Sequence, residues 1–504
     1  MEGENKTRSI MLLLLMLCLA TGTVIVVTLV MPLLAAQSSN QTYSLAGMFT
    51  LLLLVVVAVL TVLRWEYGLA LTLASLSLVN RLKTVYFLDF EYVFITAETV
   101  FLALLLLGWF FTYATRQRRD RLKYYLAVPI FLFLVAGFLS LSSSLDTRVS
   151  LRLFISGVAQ PIILFFLIIN NIKTVKQVKL VAYALMASAV IASSYGLWQS
   201  FLTVSETGDP FDYRIVSVFY SPAIFAETIL LSFPLVVVIR IWLKPDNRIV
   251  ALLLDLVLGG LVISLLLTIT RGAGLGFMAA SLILLLNKDI RSYSLRWVPV
   301  LLVLVILQSG LIAELLQRRP VSVRDLGDPT SSTGERIYAW QTALVMIEDN
   351  PVGIGLGMFR RTWYSYQPNS LGLDAAHNLL LDTGVELGII GLIALMWTII
   401  HSLKINISLF RNSMHTDAGK LALGILACII GYMVHALGSG AELAHNDLTI
   451  PQIPLGSPIS TGMLIFWSLV ACLFILREAE KTGEEPALAH RMPARYLSPR
   501  HSNV

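Results

Sequence analysis

The chain has 504 residues, 57% of them hydrophobic and only 13% charged, with a formal net charge of +6. A soluble domain carries about 25% charged residues, so this composition excludes an ordinary soluble enzyme. The small basic excess does not by itself call for nucleic acid; what matters is where the basic residues lie.

Apolar runs of 18 or more residues recur, each long enough to cross roughly 30 Å of hydrocarbon as a helix. The expected fold class is all-α, a polytopic transmembrane bundle of 12–14 spans with one long external loop containing short helices. The spans are placed at 10–34, 44–63, 67–80, 92–114, 124–144, 151–170, 177–203, 215–241, 249–270, 272–286, 297–315, 378–401, 419–438 and 457–476. The first is too long for a signal-peptide core and lacks an evident cleavage site, so it reads as a retained span. The segments at 67–80 and 272–286 are short enough to be re-entrant. Cys18, Cys428 and Cys472 lie inside apolar runs with no CxxC spacing and no neighbouring His. They read as small buried hydrophobes rather than metal ligands or a disulfide.

Four stretches follow: the first part of the bundle (1–315), a long external loop (316–376), the last part of the bundle (377–476) and a polar cytoplasmic tail (477–504) with a disordered composition. The positive-inside rule tests this arrangement. With the N-terminus inside, the inner loops hold Lys6, Arg8 and Arg64, the cluster Arg116 to Lys123, and Lys173, Lys176 and Lys179. They also hold Arg240, Lys244, Arg248, Lys288, Arg291, Arg296, Lys404, Arg411 and Lys420. The opposite short loops hold only Arg81, Lys83, Arg148, Arg152, Arg214 and Arg271. The bias puts the long loop outside, and a loop of that length is functional or disordered rather than a plain connection.

Within the loop, Ser332-x-x-Glu335 is a capping-box pattern. Ile337, Trp340, Leu344 and Ile347 then recur at helical spacing, which predicts a helix lying its apolar face on the membrane, and Asp349-Asn350-Pro351 ends it. Gly353, Gly355 and Gly357 permit close backbone approach, either for packing or for anion binding by amides; no strand precedes them and no Lys-Ser/Thr follows, so they are not a nucleotide loop. Arg360-Arg361, followed by Trp363, Tyr364 and Tyr366, is either a solvated interfacial turn or a surface for phosphate and sugar. His377-Asn378 opens the next span. There the helix dipole and nearby arginines disfavour imidazolium, leaving a neutral imidazole able to accept a proton, or simply a structural helix end.

Arg214 opens one span and Arg271 sits deep in apolar sequence between two others. An arginine near hydrocarbon faces a cavity, a counter-ion or a pathway, and its forked guanidinium suits phosphate. Arg152 is served by snorkelling to the headgroups. Glu227 and Glu386 lie within spans and are suspects by the same reasoning, Glu386 reading as the partner of another polar group. His445-Asn446 reads as ordinary loop.

Arg336-x-x-x-Trp340, Asn350-Pro351-x-Gly353-x-Gly355-x-Gly357-x-Phe359, His377-Asn378 and Glu386-x-Gly388-Ile389-Ile390-Gly391-Leu392 form one set. Upstream stand Arg214 before Phe219-Tyr220-Ser221-Pro222, and Thr270-Arg271-Gly272. Together they resemble the O-antigen ligase and O-antigen polymerase family of bacterial membrane glycosyltransferases. The resemblance spans 214–392; Ser221 stands where the family often has Asn. It implies a glycan moved from an undecaprenyl-pyrophosphate carrier onto lipid A–core or a similar acceptor, at the periplasmic face of the inner membrane. It implies no metal, no cofactor and no nucleic acid.

On that reading His377, Arg271 and Arg214 are the catalytic candidates, with Arg336, Arg360, Arg361 and Asn378 binding substrate. A polymerase of the same family shares these motifs. A transporter of lipid-linked glycan would use the same arginines without chemistry, but the paired interrupted spans common in transporters are not evident.

Overall fold

The computed structural model describes residues 52–81, 88–89, 94–95, 97–115, 122–207, 214–219, 221–243, 247–294, 332–367, 373–439 and 461–482. The expected spans at 10–34 and 297–315, the boundary at 315/316, His445-Asn446 and the tail beyond 482 lie outside these residues.

The chain builds helices because its apolar runs must satisfy every backbone group internally to lie in hydrocarbon. The first are α1 (Leu52–Leu63), α2 (Trp65–Arg81), α3 (Ala97–Thr115) and α4 (Ala127–Ser140). A two-residue antiparallel pairing, Leu88 with Ile95 and Asp89 with Phe94, lies between α2 and α3 and is the only strand pairing among the described residues. Then α5 (Thr147–Leu153) runs through a π-turn at Phe154–Ala159 into α6 (Gln160–Asn171), followed by α7 (Val175–Thr207). The expected span 215–241 divides at Leu231–Ser232 into α8 (Pro222–Leu230) and α9 (Phe233–Leu243). Next come α10 (Arg248–Leu267) and the short α11 (Arg271–Leu284). The loop contributes α12 (Ser332–Asp349) and α13 (Phe359–Tyr366), and the bundle closes with α14 (Leu379–Asn412), α15 (Asp417–Ser439) and α16 (Thr461–Thr482).

Among the described residues, seven helices are long and apolar enough to cross a membrane, and α1, α3, α4 and α11 are shorter apolar helices. The protein is a multi-pass helical membrane bundle. Its interior helices are α7, α8–α9, α15 and α16. On α10, by contrast, Leu252, Leu256, Ile263 and Leu266 face outward, as a lipid-facing helix requires.

The loop helix α12 packs a face of small residues against the bundle and turns Leu344, on its expected apolar face, outward. Ala339, Ala343 and Met346 are fully buried against α14, whereas Leu344 is 59% exposed. Small side chains let two helices approach closely, so α12 packs its alanines inward and turns Leu344 and Val345 outward.

The span opening at His377 is also not one straight helix. α14 breaks at Gly388 (φ 71°, ψ −174°). Loop residues 351–355 lie along the break: Ile354 N–H donates to Val385 O (3.0 Å), Gly355 N–H to Glu386 O (3.1 Å) and Ile389 N–H to Pro351 O (3.0 Å). The carbonyls freed by the broken turn are thus satisfied by the loop, the condition under which irregular backbone survives at membrane depth. Gly353 (φ 94°) and Gly388 touch here. A methyl on Gly353 would stand 2.5 Å from Glu386 O, and one on Gly388 would overlap Pro351 O. Glu386 Oε1 accepts from Gly357 N–H at 2.9 Å. The alternating glycines therefore serve close packing, and Glu386 is the partner of a loop amide.

Candidate active site

The end of the bundle where α10, α14 and α15 present Leu267, Asn378 and Leu437 gathers the sequence-predicted residues. Arg214 comes first. Its Nε–H donates to Thr268 O (2.9 Å) and an Nη2–H to Thr270 Oγ1 (3.0 Å), while Ile215 N–H donates to Leu267 O (3.3 Å). These carbonyls end α10, so the guanidinium sits where a helix C-terminus favours a cation. The segment is bolted to α7 as well: Gln199 Oε1 accepts from Ser217 N–H (2.7 Å), and Ser217 Oγ–H donates to Ala192 O (2.5 Å). Arg271 is the first residue of α11, directly after Thr270, and is exposed.

Arg336 reaches in from the loop. It is half-buried on α12 and donates from Nη1 to Gly438 O, near the C-terminus of α15. Burial, then the nearby positive charge of Arg271, pushes its proton affinity below that of an ordinary arginine, with Glu335 opposing. An anion bound near both arginines would offset the unfavourable charge of Arg271 on Arg336.

His377 stands at the mouth of α14, half-buried, with φ 55°. A non-glycine residue in this region is held there by its surroundings. Asp382 supplies much of the hold: Oδ1 accepts from Ala376 N–H (2.7 Å) and Oδ2 from Asn378 N–H (3.1 Å), the amides on either side of His377. Trp340 Nε1–H donates to Ala376 O (3.0 Å). Neither residue stood among the sequence candidates as a positioner of His377. The only signals were an acid in the first helical turn and an indole four residues after Arg336.

Asn378 is the N-cap of α14. Its Oδ1 accepts from Leu380 N–H (3.0 Å) and Leu381 N–H (3.3 Å), and its Nδ2–H donates to Leu437 O (3.1 Å). Its side chain thus joins α14 to α15, next to the carbonyl that Arg336 holds.

The Arg360-Arg361 pair lies at the rim. α13 is anchored by buried Phe359 and Trp363, Trp363 packing on Tyr338 at 5.9 Å between ring centroids. This turns both arginines outward, where each meets a carboxylate: Arg360 with Asp374 (2.8 Å) and Arg361 with Asp146 (3.0 Å). Tyr364, followed by Asp374, raises the proton affinity of Arg360. These two are paired at the rim, whereas Arg214 is held at Thr270, next to Arg271, and Arg336 and Asn378 hold neighbouring carbonyls of α15. Among the described residues no three His, Cys, Asp or Glu side chains form a group able to hold a metal.

This end of the bundle offers charge stabilisation for an anion and an imidazole. The sequence agrees with this geometry from another direction. A family model described as O-antigen ligase matches residues 256–396, which contain Arg271, Arg336, the rim pair, His377 and the broken helix of Glu386-x-Gly388. Arg214 lies outside the matched stretch. No curated protein matches the chain.

Proposed function

We propose that this chain, which belongs to the O-antigen ligase family, transfers a glycan from an undecaprenyl-pyrophosphate carrier to a lipid A–core or similar acceptor at the periplasmic face of the inner membrane. The observation that carries the reading is that Arg336 and Asn378, the neighbour of His377, hold adjacent carbonyls at the end of α15, while Arg214 is anchored next to Arg271 through Thr270.

The acceptor hydroxyl oxygen attacks the anomeric carbon of the donor sugar, and the bond from that carbon to the pyrophosphate oxygen breaks. The departing pyrophosphate takes the electron pair. Arg214, Arg271 and Arg336 stabilise that charge where it develops, which is commonly the largest part of barrier lowering. The hydroxyl proton passes to His377, a role worth about 10²–10⁴-fold. Arg360, Arg361 and Asn378 line the approach and orient the glycan.

The test is transfer from lipid-pyrophosphate glycan by purified protein. His377→Ala and Arg271→Ala should each lose at least about 100-fold in rate; full activity in both removes the proposed site. Omitting the lipid acceptor separates the two activities of the family. No product means ligase, and a ladder of lengthening chains means polymerase.

A further inference from the structure

Two ionisable side chains that the transfer reaction leaves unused lie fully buried beneath the arginines. Glu227 on α8 is 1% exposed and His435 on α15 is 0% exposed, with Oε1 and Nε2 3.9 Å apart. Ionisable groups inside a membrane bundle are costly and mark function by default. Their placement follows from the crossing of α11 and α15. Gly276 and Gly431 bring the two backbones into contact, a methyl on Gly431 lying 2.9 Å from Gly276 O. One turn along this antiparallel crossing, His435 meets the backbone of Gly272 and Ala223. Gly272 follows Arg271 directly. His435 also lies within electrostatic range of Arg336, which holds Gly438 O one turn further along the same helix. Tyr432, buried on the same face of α15, lies within electrostatic range of Glu227 and packs on Phe466. The charged and titratable groups within reach of the pair include Arg336 and Tyr432, and Arg271 stands directly before the Gly272 backbone that His435 meets.

We propose that Glu227 and His435 are positioning residues that share one proton, and that the proton moves from Glu227 to His435 when an anion occupies the Arg271–Arg336 cluster. In a low-dielectric interior the pair avoids net charge, which leaves two forms: carboxylic acid with neutral imidazole, or carboxylate with imidazolium. With the cluster empty, the positive charge of Arg336 within electrostatic range of His435 favours the first form. An anion cancels its potential, and the Glu227 Oε1–H proton passes to His435 Nε2. One O–H bond breaks, one N–H bond forms, and the net charge stays zero. The separation closes to hydrogen-bond length by a shift of about 1 Å. The result is a third positive charge beneath the diphosphate only while the diphosphate is there. The pair deepens the anion site of the proposed function and rests on it.

The experiment uses the full chain in lipid nanodiscs with inorganic pyrophosphate as probe. The bound-minus-free infrared difference spectrum should show loss of a protonated-carboxyl C=O band. ¹⁵N-histidine NMR should show one buried imidazole becoming protonated. In Glu227→Gln the band should vanish from the difference spectrum and pyrophosphate affinity should fall about tenfold, with His435→Gln falling alike. Pyrophosphate binding by the wild type with neither signal overturns the shared proton and leaves the anion site standing. No pyrophosphate binding at all overturns both. If neither variant folds, the wild-type infrared and NMR signals alone decide.

Discussion

Three of the four non-glycine residues with positive φ among the described residues border the arginine cluster. Ser217 follows Arg214 by three, Ile269 precedes Arg271 by two, and the third is His377 itself. A β-branched residue such as Ile269 avoids this region unless its surroundings over-determine it, and such strain gathers at working sites. At His377 the restraint is the Asp382 carboxylate gripping the amides on both sides. Asp382→Ala should therefore lower kcat by about 100-fold with KM little changed, because a misplacement near 1 Å costs that much. Asp382→Asn, which keeps one acceptor oxygen, should fall between; steady-state rates check both, and an unchanged kcat in Asp382→Ala would show the turn holds without its clasp. His377 was legible as a His-Asn pair where polar loop meets apolar span. Asp382 was not, because an acid in a first turn has an ordinary reading as a partner of the helix dipole. Arg360 and Arg361 were legible as a basic pair, but their carboxylates stand 14 and 215 positions away, and sequence spacing does not reveal such partners.

At the scale of elements, the loop is an integral part of the bundle. Residues 351–357 replace the missing turn of α14, so the loop that carries Arg336 on one flank and Arg360-Arg361 on the other is fixed to the helix that His377 opens. Gly353→Ala and Gly388→Ala each force a methyl onto backbone at positive φ and should destabilise by roughly 2 kcal/mol or more. Thermal unfolding in detergent should show both well below the wild-type midpoint, while Gly274→Ala, which meets open space, should sit near it. The spacing of the glycines made the close approach readable. The break did not show, because 378–401 is span-length and largely apolar despite Asp382 and Glu386, and periodicity carries no mark of a single non-helical residue. The packed face of α12 did not show either: in a membrane the larger apolar residues can face lipid, and the small ones mark the contact.

For the molecule as a whole, an anion should hold the site end together. Arg214 caps α10, Arg336 caps α15 and Arg271 starts α11, so a diphosphate shared among them links three helices and the loop. Inorganic pyrophosphate at 100 times its dissociation constant should stabilise the fold by about 2.7 kcal/mol. The gain should shrink as salt is raised. In Arg336→Met the thermal shift should be lost, and an undiminished shift there would place the anion elsewhere.

The orientation of the bundle decides whether this chemistry meets a periplasmic carrier. Beyond its break at Gly388, which the loop bearing Arg360 and Arg361 fills, α14 runs to Asn412, about 36 Å at 1.5 Å per residue. The Gly388 break and Asn412 are far enough apart to lie on opposite sides of roughly 30 Å of hydrocarbon. Tyr364 beside the rim pair is 43% exposed and Met414 beyond the far end is 41% exposed, so both positions accept a labelling cysteine. Cys428 and Cys472 are buried and give little background, and Cys18→Ser removes the remaining thiol. In intact spheroplasts an impermeant maleimide should label Tyr364→Cys at once and Met414→Cys only after permeabilisation. The basic residues support this direction, since Lys404, Arg411 and Lys420 flank the Met414 end and positive charge stays with the cytoplasm. The reverse labelling pattern would turn the arginine cluster toward the cytosol, away from the proposed carrier, and glycan transfer as described would fall with it.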